Sequence, residues 1–223
     1  MRNKLALACS TFLGKSLDMS EEMVMRELRE NPFDRHYFLS GDLREMGFKG
    51  VGDNVIISKN CTIIGLHNIT LGNNVRIDDN VIISASSGSL AIGNYIHVAA
   101  ACYLNCAGGL MLLDFAGLSQ GVRIYSSSDD YSGHFMTNPT VPSKFIKLEI
   151  APVAIGRHAI VGSGSVILPG VTIGEGAAVG ALSVVNTHVN DWNVFGGVPA
   201  RKIGMRSKDL LMLEAQLLEA AKR

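Results

Sequence analysis

The sequence predicts an all-β solenoid in which the chain winds through about six triangular coils. Three observations point to this fold class. Ile or Val recurs every six residues between residues 155 and 185. The same spacing returns upstream in groups of three aliphatic residues. The chain has 24 glycines in 223 residues but only 6% aromatic residues, which indicates an aliphatic core and many tight turns.

The later repeat is the more regular one. Steps of six give Ile155, Val161, Ile167, Ile173, Val179 and Val185. Four places further on lie mostly small residues, Ala159, Ser165, Val171, Ala177, Ser183 and Val189. A period of six fits neither an α-helix nor the alternation of a half-exposed strand. Each hexad therefore predicts one short strand with its aliphatic residue inside, followed by a corner that only a small residue fits.

Upstream, the same frame forms four groups of three. They are Val51, Ile57 and Ile63; Leu71, Ile77 and Ile83; Ile92, Val98 and Leu104; and Leu112, Leu118 and Ile124. Extra residues separate the groups at 65–70, 85–91, 105–111 and, as a long loop, 125–154. With parallel strands ~4.8 Å apart, six stacked coils make a prism on the order of 29 Å long over residues 51–205.

The two ends of the chain depart from the repeat. Residues 1–50 are expected to form a helical segment, because Ser20 is a helix N-cap and Pro32 ends the pattern. Residues 206–223 are expected to form a C-terminal helix opened by Ser207, with its leucines on one broad face. Such terminal segments cap a solenoid against end-on association.

The composition narrows the function classes. Lys and Arg number 20, and so do Asp and Glu. This neutral balance argues against a partner that is a nucleic acid or an anionic membrane. No apolar run approaches the length of a membrane span, so no membrane insertion and a cytoplasmic location are expected. Four cysteines, Cys9, Cys61, Cys102 and Cys106, are interpreted as free thiols.

The region after the long loop carries a family resemblance. It runs from Ile155-Gly156-Arg157-His158 through Val179-Gly180-Ala181-Leu182-Ser183 to Gly197-Val198-Pro199-Ala200-Arg201-Lys202-Ile203. It resembles the hexapeptide-repeat acyltransferases, in the branch of galactoside and xenobiotic acetyltransferases and enzymes that acylate bacterial surface sugars. Over residues 51–205, the resemblance implies a left-handed parallel β-helix and a homotrimer with active sites between subunits. It also implies acetyl-CoA as co-substrate, no permanently bound cofactor or metal, and a role in polysaccharide biosynthesis.

The resemblance also implies a CoA site along the later coils. Ser163 and Ala181 occupy the positions where the pantetheine arm meets backbone amides, and Arg201 falls on the cationic position near the CoA phosphates. Lys202 follows it directly. A second family arginine aligns with Gly204, so Lys202 or Arg206 is expected to compensate. An arginine suits this position because its guanidinium binds phosphate through two hydrogen bonds. A solvated surface charge is the alternative interpretation of Arg201.

The catalytic residue departs from the family pattern. Relatives carry a histidine in the loop that leaves the fourth coil, and Asp129 aligns with it here. We expect His97, outward at a corner of the third coil, to act as the base, with Asp129 or Asp130 of a neighbouring subunit orienting it. A surface histidine bound to a neighbouring coil is the alternative. His134 in the loop is the second choice, and His158 is expected to be structural.

A polar column is expected on one face of the prism. The frame places Ser84 below Asn105 and Tyr125, where the three could hold the hydroxyls of an acceptor or polarise the thioester carbonyl. A turn hydroxyl that only satisfies the backbone is the alternative for Ser84. Asp130 and His134 of the long loop complete the predicted acceptor site.

The predicted reaction is direct transfer of an acetyl (acyl) group from acetyl-CoA to a sugar. A neutral amine depends less on a strong base than a hydroxyl does, so the missing loop histidine favours the amine of an amino sugar, for example a nucleotide-linked one. O-acetylation of a sugar or antibiotic hydroxyl is the main alternative. Two others are a zinc-dependent β-helix hydratase, which needs three histidines at a subunit interface, and a scaffold without catalytic activity.

Overall fold

A computed structural model describes residues 36–220. The fold described below is that of the unit that begins at Tyr37. The helix expected near Ser20 and the thiol of Cys9 lie outside the described residues, as do residues 221–223.

Three sheets form the sides of a triangular prism. Sheet I contains β1 (Tyr37–Leu39), β3 (Val55–Ser58), β6 (Val75–Ile77), β9 (Ile96–Val98), β12 (Gly117–Leu118), β17 (Ile160–Val161), β20 (Ala178–Val179), β22 (Asn193–Gly197) and β23 (Ala200–Met205). Sheet II contains β4 (Thr62–Ile64), β7 (Ile82–Ser84), β10 (Tyr103–Asn105), β13 (Arg123–Tyr125), β18 (Val166–Ile167) and β21 (Val184–Val185). Sheet III contains β2 (Gly50–Val51), β5 (Ile69–Leu71), β8 (Leu90–Ile92), β11 (Leu110–Leu112), β16 (Val153–Ile155) and β19 (Thr172–Ile173).

Few elements among residues 36–220 lie outside these sheets. Strands β14 (Ser127–Asp129) and β15 (Leu148–Ile150) pair with each other alone. The helices are α1 (Ser40–Arg44) and α2 (Leu210–Ala220), with 3-10 turns at Leu66–Asn68 and Ser143–Phe145. None of the helices described is long and apolar enough to cross a membrane.

The register confirms the six-residue frame and the left-handed parallel β-helix. In sheet II, for example, Ile83 pairs with Leu104 and Leu104 with Ile124. All eighteen aliphatic positions of the frame point inward, and all but Val51 and Ile63 of the first coil are buried. The chain exceeds the predicted six coils, because β22 adds a seventh parallel rung to sheet I and a parallel bridge from Ile173 to Val189 continues sheet III.

The corner that leads from sheet III into sheet I repeats a left-handed backbone conformation. Tyr95, Phe115 and His158 all have positive φ there. This costs a non-glycine residue roughly 1–2 kcal/mol, but the rings stack, with centroids 4.9 Å apart for Tyr95–Phe115 and 4.8 Å for Phe115–His158. Gly176 takes the next position because a Cβ there would lie 2.4 Å from the ring of Trp192. Stacking thus fixes the pitch of the coils along this edge.

The N-terminal end differs from the helical segment expected over residues 1–50. Within its described part, β1 pairs antiparallel with β3, and only the short α1 is helical. The carboxylate of Asp42 accepts the backbone N–H of Leu39 at 3.1 Å, which closes the first turn of α1. At the other end β23 pairs antiparallel with β22. Sheet I is therefore closed at both ends by antiparallel strands, which blunts its edges against further pairing.

The C-terminal helix packs through a charge rather than through its leucines. Its broad leucine face is exposed in the single chain, with Leu213 62% and Leu217 44% exposed. The buried residue is Glu214, which pairs with Arg157 and, at 2.9 Å, with Nε2 of His158. Ser207 stands outside the helix, and its hydroxyl accepts the N–H of Asp209. The sequence predicts the helix and its leucine face, and the structure adds that an ion pair joins the helix to the prism at this edge.

The described thiols are free, as the sequence predicts. Cys102 and Cys106 are buried, and Cys61 is half-buried. Burial raises the pKa of Cys102 to about 11 and that of Cys106 to about 12. These groups stay protonated near neutral pH and are inert fillers of the core.

Candidate active site

His97 lies in the middle of β9, on the outer surface of sheet I. The frame predicted a corner position, but the corner residue is Tyr95, and Ile96 and Val98 point inward on either side of His97. Its side chain is 51% exposed. Gly117 is its partner on the next strand, where a Cβ would find no atom within 4 Å. The imidazole therefore borders open space on the side of the later coils.

A carboxylate of the preceding coil holds this imidazole. Asp78 follows β6 and accepts at 2.8 Å from Nε2 of His97, and its other oxygen accepts at 2.6 Å from Nε of Arg76. Burial by itself would raise the pKa of Asp78, but the hydrogen bonds from Arg76 and His97 outweigh it and lower the pKa below its usual range. The sequence analysis missed Asp78. The repeat could have located it, because Arg76 is the partner of His97 in register on the preceding coil and Asp78 follows two residues later.

Small residues line the edge between sheets I and II above His97. Ser119, Gly162 and Gly180 follow β12, β17 and β20 at equivalent places, and each donates its backbone N–H to the next strand. A Cβ on Gly162 would lie 2.5 Å from the backbone N of Ala181, so no larger residue fits. Ser163 lies beside this column, with its hydroxyl 3.3 Å from the side-chain carbonyl oxygen of Gln120. We call this edge, from His97 to β22, the groove.

The groove ends at two cations. Arg201 and Lys202 lie on β23 opposite Gly196 and Phe195 of β22, and both are exposed. Four strand steps separate β9 from β22, a distance of ~19 Å at the spacing of β-strands. Arg206 does not belong to this pair, because its guanidinium donates to the carbonyl of His158 at 2.7 Å. Of the two residues expected to compensate at this position, only Lys202 faces solvent beside Arg201.

His158 is structural, as the sequence predicts. It is buried and stacks on Phe115, and Nε2 contacts Glu214 of α2. Burial, with the charge of Arg157 beside it, lowers the pKa of His158. A neutral imidazole with one face and one nitrogen engaged joins α2 to the prism and takes no part in the groove.

The structure stacks the three polar residues that were predicted to form a column on sheet II. Ser84 pairs in register with Asn105, and Asn105 with Tyr125. The side-chain oxygen of Asn105 accepts from the N–H of Ala107 at 3.1 Å and from the hydroxyl of Ser127 at 3.2 Å. Asn105 thereby ties the column to the root of the long loop. All three column residues are half-buried.

The long loop is a hairpin arm over residues 126–151. Strands β14 and β15 form its base, and the hydroxyl of buried Ser126 donates to the carbonyl of Asn105 at 2.7 Å. The arm has large apolar side chains that are exposed in the single chain: Tyr131, Phe135, Met136, Phe145, Leu148 and Ile150. Apolar surface of this kind marks a face that packs against another molecule.

The arm carries the three loop residues predicted for the site. Asp129 ends β14, and its carboxylate lies 3.5 Å from the N–H of Asn138. Asp130 closes a tight turn, accepting from the hydroxyl of Ser132 at 2.7 Å. This hydrogen bond lowers the pKa of Asp130. Nδ1 of His134 lies 2.6 Å from the same hydroxyl.

The predicted site residues lie on two edges of the prism. His97, Ser163, Ala181, Arg201 and Lys202 belong to the groove between sheets I and II, whereas Ser84, Asn105, Tyr125, Asp129, Asp130 and His134 belong to sheet II and the hairpin arm. Among the described residues of one chain, His97 is hydrogen-bonded to Asp78 and not to Asp129. No three His, Cys, Asp or Glu side chains of this part of the chain group as metal ligands do.

A β-helix with a groove of small residues and a cationic end is the architecture of a hexapeptide transferase. The family model for bacterial transferase hexapeptide (six repeats) matches residues 152–187. The chain is 47% identical over 173 residues to the dTDP-4-amino-4,6-dideoxy-D-glucose acyltransferase of Escherichia coli. The aligned region covers 78% of this chain and 90% of that protein. The chain belongs to the hexapeptide-repeat acyltransferases, and it is an acyltransferase.

Solved structures agree. The N-acyltransferase AntD of Bacillus cereus, in complex with dTDP and 3-hydroxybutyryl-CoA, superposes with a TM-score of 0.81 and 38% identity over 85% of this chain and all of that one. A variant of AntD has been solved with dTDP-4-amino-4,6-dideoxyglucose and coenzyme A. Galactoside O-acetyltransferase of Escherichia coli is 44% identical, but over 23% of this chain and 26% of that protein.

Proposed function

We propose that this protein transfers an acyl group from a CoA thioester to the amine of a nucleotide-linked amino sugar. The observation that carries the proposal is the groove, which joins a half-exposed imidazole to a cationic end in a chain 47% identical to an amino-sugar acyltransferase. The proposed setting is the cytoplasm, where acyl-CoA and nucleotide sugars are made, and the product would serve polysaccharide biosynthesis.

The groove suits the donor. Its length of ~19 Å matches an extended pantetheine arm, and its small residues let that arm reach the backbone. Ser163 and Ala181 lie along it, so their amides and the Ser163 hydroxyl would hold the arm. Arg201 and Lys202 would bind the CoA phosphates at the far end. The thioester would then lie beside His97, over the space that Gly117 leaves open.

The chemistry moves one proton from the amine to the leaving sulfur, in two transfers, and requires no metal ion. The amine nitrogen attacks the thioester carbonyl carbon, and His97 accepts the proton that the nitrogen loses. As the C–S bond breaks, the imidazolium returns the proton to the sulfur, so CoA leaves as the free thiol. Hydroxyl or amide groups at the site would stabilise the oxyanion. A neutral amine is a strong enough nucleophile to proceed without the loop histidine that Asp129 replaces.

The acceptor would be held by the other edge of a neighbouring copy. We propose a homotrimer in which the hairpin arm of one subunit reaches the groove of the next. The exposed apolar residues of the arm support this arrangement, and so does the division of the predicted residues between two edges. Asp129 and Asp130 would then approach His97, and Ser84, Asn105 and Tyr125, with His134, would contact the sugar.

An acceptor panel tests the proposal. The purified protein is incubated with acetyl-CoA or 3-hydroxybutyryl-CoA and a pair of dTDP-sugars that differ only in having an amine or a hydroxyl at carbon 4. We expect CoA release and an amide product with the amine alone, detected by mass spectrometry. Acylation of the hydroxyl sugar alone would overturn the amine assignment.

O-acylation is the second candidate. The similarity to galactoside O-acetyltransferase favours it, but that match is confined to about a quarter of each chain. The same panel extended to simple galactosides and chloramphenicol decides between the two. Turnover of these acceptors at a rate comparable with the amino sugar would establish O-acylation as an activity of this chain.

A further inference from the structure

We propose that Asp78 is a positioning residue that fixes His97 in one tautomer, with Nδ1 free to accept the proton. The inference rests on the proposed function, because it concerns the histidine assigned there as the base. It adds a residue that belongs to the same subunit as His97 and that is in place before any partner or substrate binds.

The contacts define the orientation of the ring. Nε2 of His97 lies 2.8 Å from one carboxylate oxygen of Asp78, and Nε of Arg76 lies 2.6 Å from the other. The side chain of Asp78 is only 17% exposed, against 51% for His97. A mostly buried carboxylate is thus hydrogen-bonded to one nitrogen of a ring whose remainder faces solvent. The rotation of the imidazole is restricted, and Nδ1 is the nitrogen left for a substrate.

The protonation state follows from the donors available. The hydrogen bonds from Arg76 and His97 keep the pKa of Asp78 low, so the carboxylate is ionised near neutral pH and can only accept. Nε2 of a neutral His97 must then carry the hydrogen, which leaves a lone pair on Nδ1. When Nδ1 takes the proton of the attacking amine, the nearby carboxylate stabilises the imidazolium.

Arg76 limits this stabilisation while holding Asp78 in place. Its guanidinium also lies 3.3 Å from the hydroxyl of Tyr37 on β1. The charged groups facing His97 from β6 and its following corner are thus one cation and one carboxylate. Asp79, the next acid, is turned to the hydroxyl of Ser58, and Gly117 on the other side carries no side chain. Removing Asp78 should therefore disturb the orientation of His97 directly, whereas removing Arg76 should act on it only through Asp78.

The first experiment observes the tautomer in the absence of turnover. The full-length protein is labelled with 15N-histidine, and the His97 signals are assigned by their loss in His97→Gln. We expect an unprotonated Nδ1 and a protonated Nε2 at pH 8 in the wild type. In Asp78→Asn we expect a mixture of tautomers. A proton on Nδ1 in the wild type, or an unchanged tautomer in Asp78→Asn, would overturn the inference.

The second experiment separates kcat from KM for acetyl transfer. Asp78→Asn should lower kcat by about 10²-fold and leave KM for acetyl-CoA nearly unchanged, since the imidazole loses the carboxylate that orients it. Arg76→Gln, the matched variant, keeps that carboxylate and should lower kcat less. Equal losses of kcat in the two variants, or a rise in KM in place of the fall in kcat, would reduce Asp78 to a purely structural role and refute the inference.

The two proposals fail separately. Full kcat in His97→Gln would remove His97 as the base, whatever its tautomer. A requirement for His97 together with an Asp78→Asn enzyme of unchanged tautomer and kcat would leave the base in place and refute the positioning role. Melting curves of each variant identify those that fail to fold, and the tautomer measurement then decides on Arg76→Gln and Asp78→Asn at a temperature where both are native.

Discussion

The groove and the hairpin arm differ in regularity and in how much apolar surface they expose. The groove consists of regular hexads, and its polar side chains have partners within the chain, as Asp78 does with His97 and Arg76. The arm interrupts the repeat between β13 and β16 and exposes Phe135, Met136 and Ile150 to solvent. One region is complete in a single chain, and the other has apolar surface left over.

Under the proposed function, this difference would divide the work of the enzyme between donor and acceptor. A rigid stack of strands suits the donor, because every CoA thioester shares one long arm that a fixed groove can bind. An irregular arm suits the acceptor, because loops vary in sequence without disturbing the core. The groove of one subunit and the arm of another would then form one site.

Mixed trimers test this division most severely. His97→Ala and Asp129→Ala should each be nearly inactive alone. Co-expressed in equal amounts, they should regain about one quarter of wild-type activity, the fraction of interfaces that receive both native residues in a randomly assembled ring. Steady-state CoA release on the purified mixed trimer measures it.

Two outcomes of that experiment contradict the comparison. No recovery would mean that His97 and Asp129 act from the same subunit. Full activity of Asp129→Ala alone would mean that Asp129 has no part in the reaction. The control pairs His97→Ala with the double variant His97→Ala/Asp129→Ala, which should stay inactive in any mixture.

The apolar surface of the arm should hold the subunits together. Replacing Phe135 and Met136 by Ser removes two side chains whose burial is worth roughly 1.5–3 kcal/mol each. We expect the dissociation constant of the trimer to rise at least about 100-fold, observed by light scattering across a dilution series, with a parallel loss of activity. The control variant, Met212→Ser/Leu213→Ser in α2, alters equally exposed residues and should stay trimeric.

The cationic end of the groove is expected to have a more moderate effect. Arg201→Ala and Lys202→Ala should each raise KM for acetyl-CoA about tenfold, since one charge-assisted contact with phosphate is lost, while kcat stays nearly constant. A comparison with acetyl-dephospho-CoA shows whether the lost contact was to the 3′-phosphate, because the variant then no longer distinguishes the two donors. Arg123→Ala, at an exposed arginine of sheet II, should leave KM unchanged.

A substitution at the root of the arm is expected to have the smallest effect, and that effect is on stability. Ser126→Ala removes a buried hydroxyl that donates to Asn105 and accepts the N–H of Gly108 at 2.9 Å, so the free energy of unfolding should fall by about 1–2 kcal/mol. Ser128→Ala, two residues further on, loses only a long contact to the carbonyl of Asp129 at 3.3 Å and should cost less. Equal losses in thermal denaturation would show that the root is no better ordered than the arm.

The prism could be predicted in detail because its physics is local and repeated. One inward aliphatic residue per six, a small residue at each corner and parallel stacking leave a single register, and Ile83, Leu104 and Ile124 occupy it as predicted. The column of Ser84, Asn105 and Tyr125 followed from the same frame. The positions of His97 and Arg201 on the groove needed the family resemblance in addition.

Side-chain contacts between coils are harder to predict from the sequence. The hydrogen bond from His97 to Asp78 spans 19 residues, and the hexad frame fixes which residues are neighbours but not which rotamers they adopt. The ion pair of Glu214 with Arg157 was missed for another reason. The leucine pattern of α2 draws attention to its apolar face, but the single chain buries Glu214 and leaves Leu213 and Leu217 exposed.

The regular stacking of the later coils divides the length of the groove into steps of one strand. Ile155 and Ile173 pair in register, so a step of 18 residues makes one complete coil. Removal of such a coil would bring Arg201 one strand closer to His97 and leave the remaining strands with equivalent neighbours. If the donor binds as proposed, the number of coils sets its reach, and evolution can change that reach by whole coils without altering either end.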